Sequence, residues 1–75
     1  MRKYLHMQTD SLLTIAEVAD LLAVNSATVR RRIDAGELAA IRLGEGPRAP
    51  IRIATSDVAQ FLRRGAERRR ERAIR

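Results

Sequence analysis

The chain has 75 residues, fifteen lysines and arginines against nine aspartates and glutamates, a net charge of +6 and no cysteine. At this length folding buries only ~60% of the exposable surface, so a single small domain is expected. Without cysteine there are no disulfides or thiolate zinc sites, which fits a reducing cytoplasm. With His6 the only histidine, neither a metal centre nor histidine-based catalysis is expected.

Residues 1–12 read as a lead-in, with Tyr4, Leu5 and Met7 expected against the core but no period long enough to define an element. From Thr14 the pattern is helical. Thr14 with Glu17 three residues on forms a capping box, each side chain accepting from the other's free backbone N–H. Leu13 and Val18 are spaced as a hydrophobic staple. Ile15, Val18, Ala19 and Leu22 repeat at i, i+3, i+4 and i+7, a single apolar stripe. Ala23-Val24 turns the chain and Asn25 caps a second helix. Val29 and Ile33 point inward from that helix, and Gly36 ends it in a left-handed conformation at C′.

The outward face of this second helix carries the functional signal. At about 100° per residue, Ala27 and Arg31 lie opposite Val29 and Ile33, with Thr28 and Asp34 beside them and Arg30 and Arg32 on the flanks. Ala27 lets the backbone come close, and Ser26 before it is a further candidate for DNA contact. Arg31 has the reach for guanine O6 and N7, and Thr28 for a base edge or a phosphate. These are the residue types that suit entry into a major groove. An amphipathic helix with a solvated basic face would show the same pattern.

After Gly36, residues 38–43 read as a strand, with Ile41 and Leu43 facing one way and Arg42 the other. Residues 44–50 are dense in turn formers, and Ile51-Arg52-Ile53 alternates as a second strand. The result is a β-hairpin with Arg48 near its tip and Arg42 and Arg52 on a polar face. It serves either as a wing beside the helices or as a structural cover for the core.

Ser56 is expected to cap a third helix, with Asp57 favourable at its N-terminus and Val58, Phe61 and Leu62 closing the core. Beyond Gly65 there is no apolar stripe, and like charges at Glu67/Glu71, Arg64/Arg68 and Arg68/Arg72 oppose helix. A frayed basic tail over 63–75 is expected, holding Arg63, Arg64, Arg68, Arg69, Arg70 and Arg72 for DNA or a partner, or simply solvated.

Charge is unevenly placed. Residues 30–53 set six arginines against three carboxylates and residues 63–75 set seven against two, whereas residues 1–29 are nearly balanced. One basic side opposite a neutral one is what phosphate binding requires. Two aromatic residues, Tyr4 and Phe61, are too few for a base-stacking platform, which points away from single strands. No apolar run is long enough to span a membrane and residues 1–7 lack a signal-peptide core, so a cytoplasmic chain without membrane or small-molecule ligand is expected.

Taken in order, these pieces resemble the excisionase-type, MerR-like winged helix-turn-helix DNA-binding domains. The resemblance covers about residues 13–62. It is carried by Leu13-Thr14-x-x-Glu17-Val18-Ala19-x-Leu21-Leu22, Val24-Asn25-x-x-Thr28-Val29-Arg30-Arg31, Gly36-Glu37-Leu38 and Ser56-Asp57-Val58-x-x-Phe61-Leu62. It implies a mainly α domain with a small hairpin, the second helix in the major groove and the wing on the minor groove or backbone. Ala27, Thr28, Arg30 and Arg31 would face the groove, and Arg48 would be the wing contact. Arg32 departs from the pattern, since many relatives place a large apolar or aromatic residue there.

The resemblance further implies two functions. One is a phage excisionase that binds tandem sites head to tail, bends attachment-site DNA and meets an integrase, a tyrosine or serine recombinase, through its tail. The other is a small transcriptional regulator. A protein-interaction module with an incidental basic face is a weaker alternative. No paired carboxylates, nucleophile–base set or phosphate loop can be assembled, so no enzyme and no cofactor are expected.

Overall fold

The computed structural model describes residues 11–74, with side chains described through Arg70. The elements run β1 (Leu12–Leu13), α1 (Ile15–Leu22), α2 (Ser26–Asp34), β2 (Ile41–Arg42), β3 (Ile51–Ala54) and α3 (Thr55–Ile74). Tyr4, Leu5 and Met7 lie outside the described residues.

Local signals place the first two helices. Thr14 is extended (φ −78°, ψ 166°), its Oγ1 accepts from the Glu17 N–H at 3.0 Å, and its own N–H donates to Glu17 Oε1 at 2.8 Å. Two orphan donors of the helix start are thereby satisfied. At the other end the Ala23 N–H donates to the Asp20 carbonyl and the Val24 N–H to the Ala19 carbonyl, the paired bonds of a Schellman motif. Ala23 takes the left-handed position at φ 58° without being glycine, a strain of about 1–2 kcal/mol. The tight α1–α2 turn holds it there.

Asn25 Oδ1 accepts from the Thr28 N–H at 2.8 Å and so caps α2. Gly36, at φ 79°, ends the helix, with its N–H on the Ile33 carbonyl and that of Glu37 on the Arg32 carbonyl. A side chain at Gly36 would be strained by that φ.

Three antiparallel strands form one sheet in the order β1-β3-β2, so β3 is central. β1 pairs Leu12 with Ala54 and Leu13 with Ile53, placing a strand where the sequence showed only a lead-in and a staple. A two-residue strand is too short for alternation to be visible, and it exists because β3 offers it an edge. The strand expected over 38–43 is confined to Ile41–Arg42. Leu38, expected within it, is instead a core residue, 2% exposed.

The core joins Ile15, Val18 and Ala19 of α1 to Val29 of α2, with Leu38, Ile53 of β3 and Val58 of α3. Leu13, Leu22, Ile33, Ile51 and Phe61 pack against it while remaining partly accessible. Leu13 therefore packs against the cluster to which Val18 belongs. Leu62, expected to close the core with Val58 and Phe61, is instead 49% exposed, because it lies one helical step past the face that Val58 and Phe61 share.

α3 differs most from the sequence reading. It starts at Thr55, directly from β3, so Ser56 lies inside the first turn rather than at the cap. It passes through Gly65 and continues to Ile74 as one helix of 20 residues, where a frayed tail was expected from residue 63. A helix already nucleated on packed Val58 and Phe61 needs only propagation, and Ala, Glu and Arg favour it. The spacing also supplies opposite-charge neighbours, Arg63/Glu67 and Glu67/Arg70, beside the like-charged ones.

Candidate nucleic-acid interface

α2 is anchored from beneath by Val29, 1% exposed, while Ala27, Arg30 and Arg31 are exposed to solvent. Ser26, the first residue of the helix, and Thr28 are half-buried. The Thr28 hydroxyl accepts from Arg31 Nη2 at 3.1 Å, so the two side chains form one unit. This bond fixes the direction of the Arg31 guanidinium and leaves its remaining donors available. Arg32 turns the other way, its Nη1 3.2 Å from Glu37 Oε1. That pair is about half exposed and contributes little stability.

Beside α2 the hairpin loop is closed by the Leu43 N–H on the Pro50 carbonyl at 2.8 Å and the Ala49 N–H on the Gly46 carbonyl at 3.3 Å. Gly44 and Gly46 hold positive φ within it, and Arg48 is exposed on the same loop. Arg30 of α2, Arg48 of the loop and Arg52 of β3 line one open depression of about 450 Å³, with Ile15 and the prolines Pro47 and Pro50. No acidic side chain lines it. Three guanidinium groups from separate elements therefore surround one space suited to a bound anion. Pro47 and Pro50, read from the sequence only as turn residues, form its rigid wall.

The expected polar face of the hairpin is not formed. Residues directly opposite across an antiparallel pair share a face. The register sets Ile41 opposite Arg52 and Arg42 opposite Ile51, so the two arginines are on opposite faces. Arg52 Nη1 donates to the Ile51 carbonyl at 2.9 Å and remains at the depression, whereas Arg42 Nη1 donates to the Gly46 carbonyl at 3.1 Å, within its own hairpin. Arg42 does not join the other three.

Along α3, Arg63, Arg64, Arg68, Arg69 and Arg70 are exposed, and Arg72 lies within the same helix. At about 100° per residue these positions surround the helix instead of forming one stripe. The helix is ~30 Å long at ~1.5 Å per residue, and the molecule is 50 Å in its longest dimension. Among the described residues no group of histidine, cysteine, aspartate or glutamate is placed to hold a metal ion. No helix there is long and apolar enough to cross a membrane.

A buried first helix, a tight turn, an exposed arginine-bearing second helix and a flanking hairpin define a winged helix-turn-helix, a DNA-binding class. The chain matches the helix-turn-helix domain family over residues 12–66 and belongs to it. Members of this family are typically not enzymes. No curated protein and no solved structure matches the chain.

Proposed function

We propose that this protein binds double-stranded DNA sequence-specifically, with α2 in the major groove and the hairpin against the adjacent backbone. The observation that supports this best is the convergence of Arg30, Arg48 and Arg52 on one depression beside the reading face of α2. In this arrangement Ser26 and Ala27 admit the DNA to the helix front, and Arg31, steadied by Thr28, addresses a guanine edge. Arg30, Arg48 and Arg52 hold phosphate, which sets register without carrying sequence information.

The finer reading is an excisionase. It rests on the resemblance over residues 13–62 and on the arginine-rich second half of α3, which supplies a surface for DNA or an integrase. Head-to-tail loading on repeated sites and DNA bending belong to this reading, with promoter occupancy by a small regulator as the alternative. The test is a truncation after Gly65, which leaves Val58 and Phe61 to close the core. Gel-shift titrations of both forms on an attachment-site fragment, with and without integrase, at two salt concentrations, separate the two functions. An excisionase loses integrase-dependent cooperation on truncation, and added protein does not restore it. A loss confined to affinity, recovered by raising the protein concentration, favours the regulator.

A further inference from the structure

Two exposed apolar surfaces on opposite sides of the molecule carry opposite charge. The first is the outer face of the sheet. Leu13, Ala40, Ile51 and Ile53 face the core, so by the alternation of strand side chains Leu12, Ile41 and Leu43 face away from it. The register agrees, since Leu12 lies opposite Ala54 and Ile41 opposite Arg52, the residues that alternate with Ile53 and Ile51. Leu12, Ile41 and Leu43 are each about half exposed. Single exposed aliphatic residues are ordinary, but three on one face make a patch. The hairpin that carries most of it, residues 41–54, holds Arg42, Arg48 and Arg52 against Glu45.

The second surface is the outer face of α1. Ile15, Val18 and Ala19 bury the other side of this helix, which packs on β1 and β3. At about 100° per residue Ala16, Glu17, Asp20 and Leu21 share the outward side, and all four are exposed. Leu21, 60% exposed, is the most accessible large apolar residue among those described. α1 is also the one described helix without lysine or arginine. Because it covers the core face of the sheet, its outward side and the outer face of the sheet point in opposite directions.

We propose that α1 of one copy docks on the outer sheet face of a second copy, with Leu21 among Leu12, Ile41 and Leu43. Glu17 and Asp20 then meet the basic hairpin, a complementarity that fixes which surface pairs with which. Arg42, set apart from the phosphate depression, is the cation best placed for them, between Ile41 and Leu43 on an edge strand. Two different surfaces meet, so the contact is heterologous and each copy keeps one surface for a further copy. Head-to-tail loading on DNA, the reading on which this rests, needs just such a contact. The reading side of α2 takes no part in it.

The chain has no cysteine, so Leu21→Cys and Leu43→Cys introduce its only thiols. The full chain carrying both is treated with a short bismaleimide, with and without a mixed-sequence duplex long enough for several copies. Both positions are exposed, and far-UV circular dichroism melts check that the fold is retained. Ile41→Cys replaces Leu43→Cys if that variant melts early. The double variant is expected to give a ladder of dimer, trimer and larger species, a mixture of the two single variants dimer only, and either single variant little. Asp20→Arg in the double variant should lower the yield several-fold. No ladder with or without duplex overturns the proposal. So does an equal yield of dimer from Leu21→Cys alone, which would make the contact symmetric, and so does a yield that Asp20→Arg leaves unchanged. Gel shifts of the parent on the same duplex keep the readings apart. Cooperative shifts without a ladder leave head-to-tail loading standing and overturn only these surfaces. No shift at all removes the DNA-binding reading, and the ladder without duplex then decides the contact by itself.

Discussion

The three arginines at the depression and the one on the opposite face make a graded prediction about salt. Each phosphate neutralised on duplex DNA contributes about 0.9 to the slope of log affinity against log salt, through counterion release. Three independent contacts would sum to a slope of ~2.7. Arg30, Arg48 and Arg52 share a single space of about 450 Å³, however, so they are expected to serve one or two phosphates between them. The triple alanine variant should therefore lower the slope by ~0.9–1.8. Between 50 and 200 mM salt each lost contact relieves the fall in affinity by ~3.5-fold. Arg42→Ala, whose guanidinium is held by the Gly46 carbonyl on the other face, should leave the slope unchanged. Fluorescence anisotropy titrations on a labelled duplex at four or five salt concentrations give both slopes. If Arg42→Ala lowers the slope as much as Arg48→Ala does, the depression is not the phosphate site and the basic charge acts diffusely.

Other substitutions test the packing. Leu38→Ala should destabilise by about 2–4 kcal/mol, because Leu38 is 2% exposed in the core; Leu62→Ala, half exposed, should cost under ~1 kcal/mol. Urea unfolding at constant m-value distinguishes them, and equal losses would contradict the core described. Gly65→Ala should stabilise by about 0.5–1 kcal/mol, since a Cβ at that position meets nothing within 4 Å and the residue is inside α3. Lower helicity and a lower melting temperature for this variant would mean that α3 is broken at Gly65.

The parts of the fold legible in the sequence were those determined within a few residues. Thr14 with Glu17, Asn25 with Thr28, and Gly36 each satisfy backbone groups in their own helix end, so side-chain chemistry and spacing sufficed. The parts that were not legible depend on distant partners. Leu12–Leu13 becomes a strand only because β3 has an open edge, and Leu38 becomes core because Gly36 turns it beneath α2. Arg42, between Ile41 and Leu43, and Arg52, between Ile51 and Ile53, both alternate with aliphatic residues, which suggests a common face. A register that sets Ile41 against Arg52 separates them, and register is a property of two strands together. The second half of α3 has no apolar stripe of its own and is carried by the nucleus packed before it.

Sequence-specific binding requires α2 to meet base edges, and Arg31 is the most direct probe of that contact. Selection of bound sequences from a random duplex library, followed by titration of the parent and Arg31→Ala on the selected and a scrambled duplex, measures this. The expected result is an enriched site containing guanine, with Arg31→Ala costing about 1–3 kcal/mol on that site and clearly less on the scrambled one. Equal losses on both duplexes, or no enriched sequence, would reduce Arg31 to a phosphate contact and contradict sequence reading by α2.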